Sequence, residues 1–369
     1  MLFYFASSLV IISACNSGVK NIFIKKSARE KYEDKVENLY PAEGKSWKNA
    51  GALALVNNLM IPAPYSETGS LYGDSADAVS FRFPVSAGQM IQVNLVKLKS
   101  AFTAYTELWE VSIDGSPRFV AAADTLLGKI EHPSLQAAEY IVRMQPELKS
   151  LGDYKLSILL SPLLGSPIQQ GVKNNIGSVW GDARDAGGRS HEGIDIFTKK
   201  GAFVVAVTDG TVRQVSDGGI GGKVVWLSPA DYNFSVYYAH LDTQLVQSGQ
   251  RVKKGDVLGT VGNTGNARFT PAHLHFGVYT GYGAVDPLAF VQDVKEPRDV
   301  IVPKRLNQRY KMSAKTKLFH SPDKKNPLLL TEQITFKTQS FSGLFYRVIL
   351  DNGLRGFIAE SDITNKMTL

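Results

Sequence analysis

The stretch from His191 to Phe276 constrains the fold of this chain more than any other part of the sequence. It holds four of the six histidines, surrounded by short strand-forming runs and glycine turns. His191 lies four residues before Asp195, and His273 lies two residues before His275. Residues two or four apart on a strand point to the same side. Both pairs can therefore face one cavity if they lie in strands.

The residues around the first pair favour a strand over a helix. An i, i+4 spacing also aligns two side chains on a helix, but Gly193 and the β-branched Ile194 and Ile196 favour the extended chain. The helical His-Glu-x-x-His signature is absent, because Asp195 stands where its second histidine would be.

Two histidines and one aspartate form a donor set suited to zinc. Zinc prefers nitrogen and carboxylate ligands, and a catalytic site keeps one position of its tetrahedral shell for water. We therefore predict a hydrolytic zinc site. Spacing alone leaves open whether His273 or His275 is the ligand. The other member of that pair and His240 are candidates for the general base, the proton donor or the oxyanion donor.

The composition is that of a folded chain with a basic surface. Of its 369 residues, 44% are apolar and 20% are charged, and the formal net charge is +7. That length accommodates two or three domain cores. The positive charge favours anionic surroundings such as nucleic acid, acidic lipid or an anionic cell-wall polymer. We predict no nucleic-acid binding, because no motif interleaves aromatic with basic residues.

The N-terminal residues 1–15 contain an apolar run that ends at Cys15. This run is too short to cross a bilayer as a helix. Its last residues, Ile-Ser-Ala-Cys, resemble the lipobox of a bacterial lipoprotein signal peptide, which implies cleavage before Cys15 and a lipid on its thiol. The resemblance implies a membrane-anchored location in the cell envelope, on the periplasmic or outer-membrane side. The alternative is a buried free cysteine; with one cysteine, no disulfide forms within the chain.

Two segments lie between this run and residue 163. Residues 16–68 show charged helical spacing and predict a tether with short helices whose charges are solvated. Residues 69–162 alternate apolar and polar side chains between turn signals, as in Ile91 to Leu95 and Tyr154 to Ile158. This pattern predicts an antiparallel β-sandwich, and the end of the segment resembles the accessory β-sandwich domains of secreted bacterial peptidases.

The remaining two segments are also predicted to be rich in strands, which makes the predicted fold class mainly β. Residues 163–298 contain no long amphipathic helix, and their strand-like runs are Phe203 to Val207, Val224 to Leu227, Phe234 to Tyr238 and Leu274 to Tyr279. Residues 299–369 contain short strand-like runs and a hairpin signal at Asp351-Asn352-Gly353. They resemble the small β-barrel of the bacterial Src-homology type, which often binds the wall in envelope enzymes.

Residues from about 177 to 287 resemble the lysostaphin-type zinc metallopeptidases, the glycyl-glycine endopeptidase family of cell-wall endopeptidases. Three blocks carry the resemblance in the family's order: His191-x-x-x-Asp195, Tyr238-Ala239-His240-Leu241 and His273-Leu274-His275-Phe276. The resemblance implies an antiparallel β peptidase domain built on a duplicated hybrid motif. It also implies Zn²⁺ on His191, Asp195 and His275, with His240 and His273 as catalytic residues that activate the water and stabilise the tetrahedral intermediate. The implied substrate is peptidoglycan, cut at an amide of a stem peptide or a cross-link.

The chain departs from the family's pattern beside the site. Ala272 stands directly before His273 where proline is common, and Gly277 stands where glutamate is frequent. Neither change removes a ligand, so we expect them to alter the shape and specificity of the cleft. We expect the cleft walls to include the loops 209–222 and 263–271.

Two other functions compete for the same residues. Some members of the family have lost ligands and act as binding activators of other wall hydrolases, whereas all five site positions are filled here. A lipoyl-type carrier domain would explain the turn at Lys253-Lys254 and would leave the histidines unexplained. His132 and His320 lie in segments predicted to be connections, and we assign them no chemistry.

Overall fold

In the computed structural model, the described residues are 26–72, 76–98, 102–125, 127–184, 187–297, 305–311, 316–328 and 334–363. The predicted signal peptide of residues 1–15, with Cys15, lies outside these ranges. Strands make up most of the regular structure, which confirms the predicted mainly β class.

Two sheets form the N-terminal part of the molecule. Their strands are β1 (Leu59–Met60), β2 (Tyr65–Tyr72), β3 (Val79–Val85), β4 (Gln89–Lys97), β5 (Ala104–Val111), β6 (Pro117–Ala122), β7 (Lys129–Ser134), β8 (Ala138–Pro146) and β9 (Leu151–Pro162). One sheet has the order β1-β3-β8-β5-β6, and the other contains β2-β9-β4-β7. The predicted alternation in β4 and β9 is confirmed, because Ile91, Val93, Tyr154 and Leu156 are fully buried. Both sheets contribute side chains to one hydrophobic cluster.

His132 lies within strand β7, not in a connection as the sequence suggested. Its backbone pairs with Ile91 of β4 although Pro133 follows it. Since β7 is the last strand of its sheet, a proline is tolerated on its open edge.

Two helices precede the first sheet. They are α1 (Ala28–Leu39) and α2 (Pro41–Val56). Ser27 caps α1 in a capping box with Glu30, each side chain accepting a hydrogen bond from the backbone N–H of the other residue. No helix in the described ranges is long and apolar enough to span a bilayer.

Buried polar contacts attach this helical pair to β8. Trp47 is fully buried, and its indole N–H donates to the carbonyl oxygen of Pro146 at 2.8 Å. Arg29 is also buried and donates through Nε to the side-chain oxygen of Gln145 at 2.9 Å. The expectation that the charges of residues 16–68 are solvated is therefore wrong at Arg29.

A separate sheet and core form the central part of the molecule. Its strands are β10 (Asn175–Ser178), β11 (Ala183–Arg184), β12 (Arg189–Ser190), β13 (Ile194–Phe197), β14 (Phe203–Val205), β15 (Gly210–Asp217), β16 (Lys223–Pro229), β17 (Ser235–Gln244), β18 (Arg251–Val252), β19 (Val257–Val261), β20 (His273–Thr280) and β21 (Gly283–Val285). The main sheet has the order β10-β13-β20-β17-β16-β15-β18, and its apolar side chains form a second hydrophobic cluster. A four-residue helix, α3 (Leu288–Val291), follows. Each predicted strand-like run of this segment overlaps an observed strand.

The C-terminal strands extend an N-terminal sheet. They are β22 (Arg309–Lys311), β23 (Leu318–Phe319), β24 (Pro327–Leu328), β25 (Thr335–Ser342), β26 (Phe345–Leu350) and β27 (Arg355–Ala359). β25 pairs with β2, so that Thr68 lies opposite Phe341 and Gly69 opposite Ser340. Among the described strands no sheet closes into a barrel.

Candidate metal centre

Three neighbouring strands bring the predicted site residues together. Asp195 of β13 lies directly opposite His275 of β20, and Ala239 of β17 lies opposite His275 on the other side. His191 comes from the turn before β13, and His273 lies two residues before His275 on the same strand. The antiparallel register of β13, β20 and β17 therefore positions side chains that are far apart in sequence.

His240 follows Ala239 but leaves the regular ladder. Its backbone is left-handed, with a φ of 61°, and its N–H donates to the carbonyl oxygen of Gly221 at 2.9 Å. A non-glycine residue in this region is uncommon and costs free energy. The imidazole ring lies 5.0 Å from the ring of His273 and 5.8 Å from that of His275, centre to centre. The unusual backbone accompanies placement of a fourth histidine in the cleft.

The side chains of His191, Asp195 and His275 converge on one point. His191 Nε2 lies 3.1 Å from Asp195 Oδ1 and 3.0 Å from His275 Nδ1, and His275 Nδ1 lies 3.0 Å from Asp195 Oδ1. All three ligand atoms lie within 4.8 Å of one another. This is the one group of three or more potential ligands found in the described part of the chain.

Hydrogen bonds to backbone carbonyl groups determine which nitrogen His191 presents. Its Nδ1 lies 2.8 Å from the carbonyl oxygen of Val179, which can only accept, so the proton belongs on Nδ1. In the neutral ring, Nε2 then carries a lone pair and faces a carboxylate oxygen and a second imidazole nitrogen. Three electron-pair donors at this spacing suit a cation, and the donor set fits zinc.

The same logic applies to His240 and His273. Nδ1 of His240 lies 3.0 Å from the carbonyl oxygen of Thr264, and Nδ1 of His273 lies 2.9 Å from that of Pro271. In the neutral rings, Nε2 is the unprotonated atom. Burial, followed by the nearby His273 and His275, lowers the pKa of His240 to about 4. His240 is therefore a neutral imidazole at neutral pH, able to accept a proton.

The Asp195 carboxyl group is ionised. Burial raises its pKa, but hydrogen bonds and charge interactions with His191 and His275 outweigh burial and hold the pKa well below its usual range. Arg184 of β11 also donates to Asp195 Oδ2 at 2.8 Å. The carboxylate is thus available as an anionic ligand throughout the physiological pH range.

These residues line a cleft of about 840 Å³. Its described lining comes from residues 178–279, and it includes parts of both predicted wall loops, 209–222 and 263–271. Tyr237 and Tyr279 form an aromatic side of the cleft, with the ring of Tyr237 centred 5.9 Å from that of His275. Burial raises the pKa of Tyr279 to about 12, so its hydroxyl group is protonated at neutral pH.

The departure from the family pattern at position 277 has a structural counterpart. A Cβ added at Gly277 would lie 2.9 Å from the Tyr279 ring and 3.3 Å from the carbonyl oxygen of Glu192. A glycine at this position therefore leaves room for Tyr279 beside the cleft.

Sequence patterns did not identify Arg184, Ser178 or Tyr237 as site residues. They lie on strands that reach the cleft only after the sheet has formed, and their spacing carries no recognisable signal. His132 and His320 lie outside the cleft lining, and His320 is exposed.

Residues 189–287 match the model of peptidase family M23. They form a peptidase family M23 domain. Members of this family are zinc-dependent, and the His191, Asp195 and His275 group of this M23 domain supplies a suitable ligand set.

Several known proteins are similar to the M23 domain. The L-Ala--D-Glu endopeptidase of Bacillus subtilis is 36% identical over 117 residues, which cover 30% of this chain and 36% of that protein. The murein hydrolase activator NlpD of Escherichia coli is 34% identical over 103 residues, which cover 27% of this chain and 26% of that protein. The crystallised catalytic domain of lysostaphin from Staphylococcus simulans is 29% identical with a TM-score of 0.29, and the alignment covers 32% of this chain and 91% of that domain. The chain thus spans at most 36% of the two curated relatives.

Proposed function

We propose that this protein is a zinc-dependent endopeptidase that hydrolyses amide bonds in the stem peptides or cross-links of peptidoglycan. The observation that carries the proposal is the convergence of His191 Nε2, Asp195 Oδ1 and His275 Nδ1 within 4.8 Å in an open cleft. His240 and His273 lie in the same cleft. The similarity to peptidoglycan endopeptidases supports the substrate class.

In this proposal, His191, Asp195 and His275 hold the metal ion. The chemistry that zinc supplies in such a site is Lewis acidity, which acidifies water and polarises the amide carbonyl group. Asp195 contributes negative charge, and its hydrogen bond from Arg184 fixes the orientation of the carboxylate. The fixed Nδ1 proton of His191 directs its Nε2 lone pair toward the other two ligand atoms.

His240 and His273 move protons in the proposed reaction. A neutral Nε2 accepts a proton from the attacking water, as expected of a general base. Once protonated, the same nitrogen donates to the developing oxyanion or to the leaving amine. The carbonyl groups of Thr264 and Pro271 hold the two rings in the tautomer that this role requires.

We propose that the remaining segments place the enzyme at its substrate. The interpretation comprises a signal peptide in residues 1–15, a tether in 16–68, a β-sandwich in 69–162, the peptidase domain in 163–298 and a wall-binding C-terminal segment of short strands in 299–369. Lipidation of Cys15 would anchor the chain to a membrane of the cell envelope. The envelope is where the related proteins act on the wall. Replacement of Cys15 by serine should release the protein from isolated membranes, and unchanged membrane association would reject the anchor.

A second candidate function is activation of other wall hydrolases without catalysis. The similarity to NlpD, which is named as a murein hydrolase activator, favours it. Under this alternative the protein would bind sacculi and release no fragments by itself. The filled set of five site residues favours the enzyme.

The test is incubation of the purified protein with purified sacculi, with and without a chelator, followed by mass spectrometry of released muropeptides. We expect release that stops with the chelator and returns when zinc is added. A His275→Ala variant serves as the matched control and should release nothing. Retention on sacculi without release, in zinc-loaded wild-type protein, would support the activator instead.

A further inference from the structure

The two carboxylate oxygens of Asp195 have different partners. Oδ1 lies beside His191 Nε2 and His275 Nδ1, at 3.1 and 3.0 Å. Oδ2 accepts a hydrogen bond from the guanidinium Nη2 of Arg184 at 2.8 Å. The carboxylate therefore presents Oδ1 to the two histidine nitrogens, while Arg184 holds Oδ2.

The hydroxyl group of Ser178 connects Arg184 to the opposite ligand, His191. Arg184 Nη2 donates to Ser178 Oγ at 2.6 Å, so one nitrogen donates to both Ser178 and Asp195. His191 Nδ1 lies 3.3 Å from Ser178 Oγ and 2.8 Å from the carbonyl oxygen of Val179, and its proton is shared between these acceptors. The serine oxygen thus accepts from both sides.

Asp182 fixes the orientation that makes this possible. Its Oδ2 accepts the hydroxyl proton of Ser178 at 2.7 Å and the backbone N–H of Val179 at 3.0 Å. Because the hydroxyl proton points to Asp182, the lone pairs of Ser178 Oγ remain free for Arg184 and His191. Each donor in the chain from Arg184 to Asp182 therefore has an acceptor.

We propose that Arg184 and Ser178, fixed by Asp182, are positioning residues that orient Asp195 and His191 around the metal ion. This inference rests on the proposed function for the identity of the ion as zinc. Partners of this kind around ligating side chains commonly change metal affinity by about 10- to 100-fold. Arginine suits the role because its planar guanidinium group fixes the directions of the two N–H bonds on this nitrogen, whereas the N–H bonds of a lysine ammonium group rotate.

The test is the zinc affinity of the full chain in competition with a chelating dye, without any substrate. For Arg184→Gln we expect binding weaker by about 10- to 100-fold, with the unfolding midpoint of the metal-free protein unchanged. For Ser178→Ala we expect a smaller loss. The zinc affinity of the double variant should fall by less than the product of the two single fold-losses, because both residues act through one hydrogen-bond network.

Arg251→Gln is the matched control. Arg251 is exposed on β18 and does not line the cleft, so its removal changes the net charge equally and should leave zinc affinity as in the wild type. Arg184→Lys keeps the charge and should bind zinc with intermediate affinity. It also provides the measurement if the glutamine variant does not fold.

Wild-type zinc affinity in a folded Arg184→Gln or Arg184→Lys protein would overturn the inference. Because no substrate is present, this result does not depend on whether the protein cleaves peptidoglycan. Weakened zinc binding in the variant, together with no muropeptide release by the wild type, would reject the peptidase and leave the positioning role intact.

Discussion

At the scale of single residues, backbone carbonyl groups decide how the histidines are used. Those of Val179, Thr264 and Pro271 each accept from an Nδ1–H group, so His191, His240 and His273 present Nε2 to the cleft. His275 presents Nδ1. Distance then separates the five side chains. His191, Asp195 and His275 converge, whereas His273 Nε2 lies 3.9 Å from Asp195 Oδ1.

Removing a converging side chain should abolish metal binding and turnover together. We expect His191→Ala and Asp195→Ala to lose bound zinc, because two protein ligands do not complete a catalytic zinc site. Elemental analysis of the purified variants and muropeptide release measure the two properties. A folded Asp195→Ala protein with a full equivalent of zinc would contradict the assignment.

Removing His240 or His273 should abolish turnover without loss of bound zinc. We expect His240→Ala and His273→Ala to retain zinc and to lose turnover by about 10²- to 10⁴-fold, the usual contribution of general acid–base catalysis. The same two assays apply. Wild-type turnover in these variants would reject the proposed proton-transfer roles.

The lowered pKa of His240 predicts a pH-dependent stability of the metal-free protein. Its pKa is about 4 when folded and rises to the ordinary value near 6.5 when unfolded, so the unfolded state binds more protons between these values. Stability is therefore complete above about pH 6.5 and falls as the pH drops towards 4, by at most roughly 3 kcal/mol from this residue. Urea unfolding of wild type and His240→Gln at several pH values measures it. If the free energy of unfolding changes equally with pH in both proteins, the expectation is contradicted.

At the scale of secondary structure, close contact between β20 and the turn before β13 shapes the centre. Gly193 is buried, and a Cβ at this position would lie 2.6 Å from His275 Cε1 and 2.7 Å from the carbonyl oxygen of Phe276. Only a residue without a side chain allows His275 to lie this close to the turn that carries His191.

Gly193→Ala should therefore disturb both the packing and the metal site. We expect a loss of about 1–3 kcal/mol in the free energy of unfolding, as for other overpacked buried sites, together with weaker zinc binding. Urea unfolding and dye competition measure the two effects. Gly281→Ala is the control, because a Cβ there meets no atom within 4 Å and the glycine has no positive φ. Identical behaviour of the two variants would show that the contact is unimportant.

At the scale of the whole molecule, a buried ion pair joins the N-terminal and C-terminal strands. Glu67 of β2 is fully buried, and Arg347 of β26 is 2% exposed. Arg347 Nη2 donates to the hydroxyl oxygen of Tyr154 at 2.9 Å, and Ser340 Oγ donates to Glu67 Oε2 at 2.6 Å. This network lies beside the pairing of β2 with β25, so the two terminal parts share one sheet and one polar core. The M23 domain has a separate hydrophobic cluster.

Breaking this ion pair should destabilise the shared sheet without changing the metal site. For Arg347→Met we expect the free energy of unfolding to fall by about 3–5 kcal/mol, because Glu67 would remain buried without its partner. Urea unfolding, followed by one probe in the shared sheet and another in the M23 domain, measures the loss of stability. Arg309→Met breaks an exposed pair with Asp351 and should stay within about 0.5 kcal/mol of the wild type. A changed zinc affinity in a folded Arg347→Met protein would contradict the independence of the M23 domain.

The sequence by itself determined the strand-rich class and the set of five side chains that meet in the cleft. The strand-rich class follows from local alternation, whereas the five site residues come from three short blocks that resemble the lysostaphin-type family. Spacing by itself predicts a shared face for His273 and His275, because side chains alternate along a strand. The alternation in β4 and β9 is likewise local, and it predicted which side chains are buried.

Only the tertiary structure decided the contacts between distant segments. The bond of Arg184 to Asp195, the burial of Arg29 and the pairing of β2 with β25 depend on strand register and sheet order. The sequence pattern around a charged residue is the same whether its side chain is solvated or is buried against a partner far away in sequence. The tautomers of the histidines depend on carbonyl groups brought near by the folded loops, and no spacing rule encodes them.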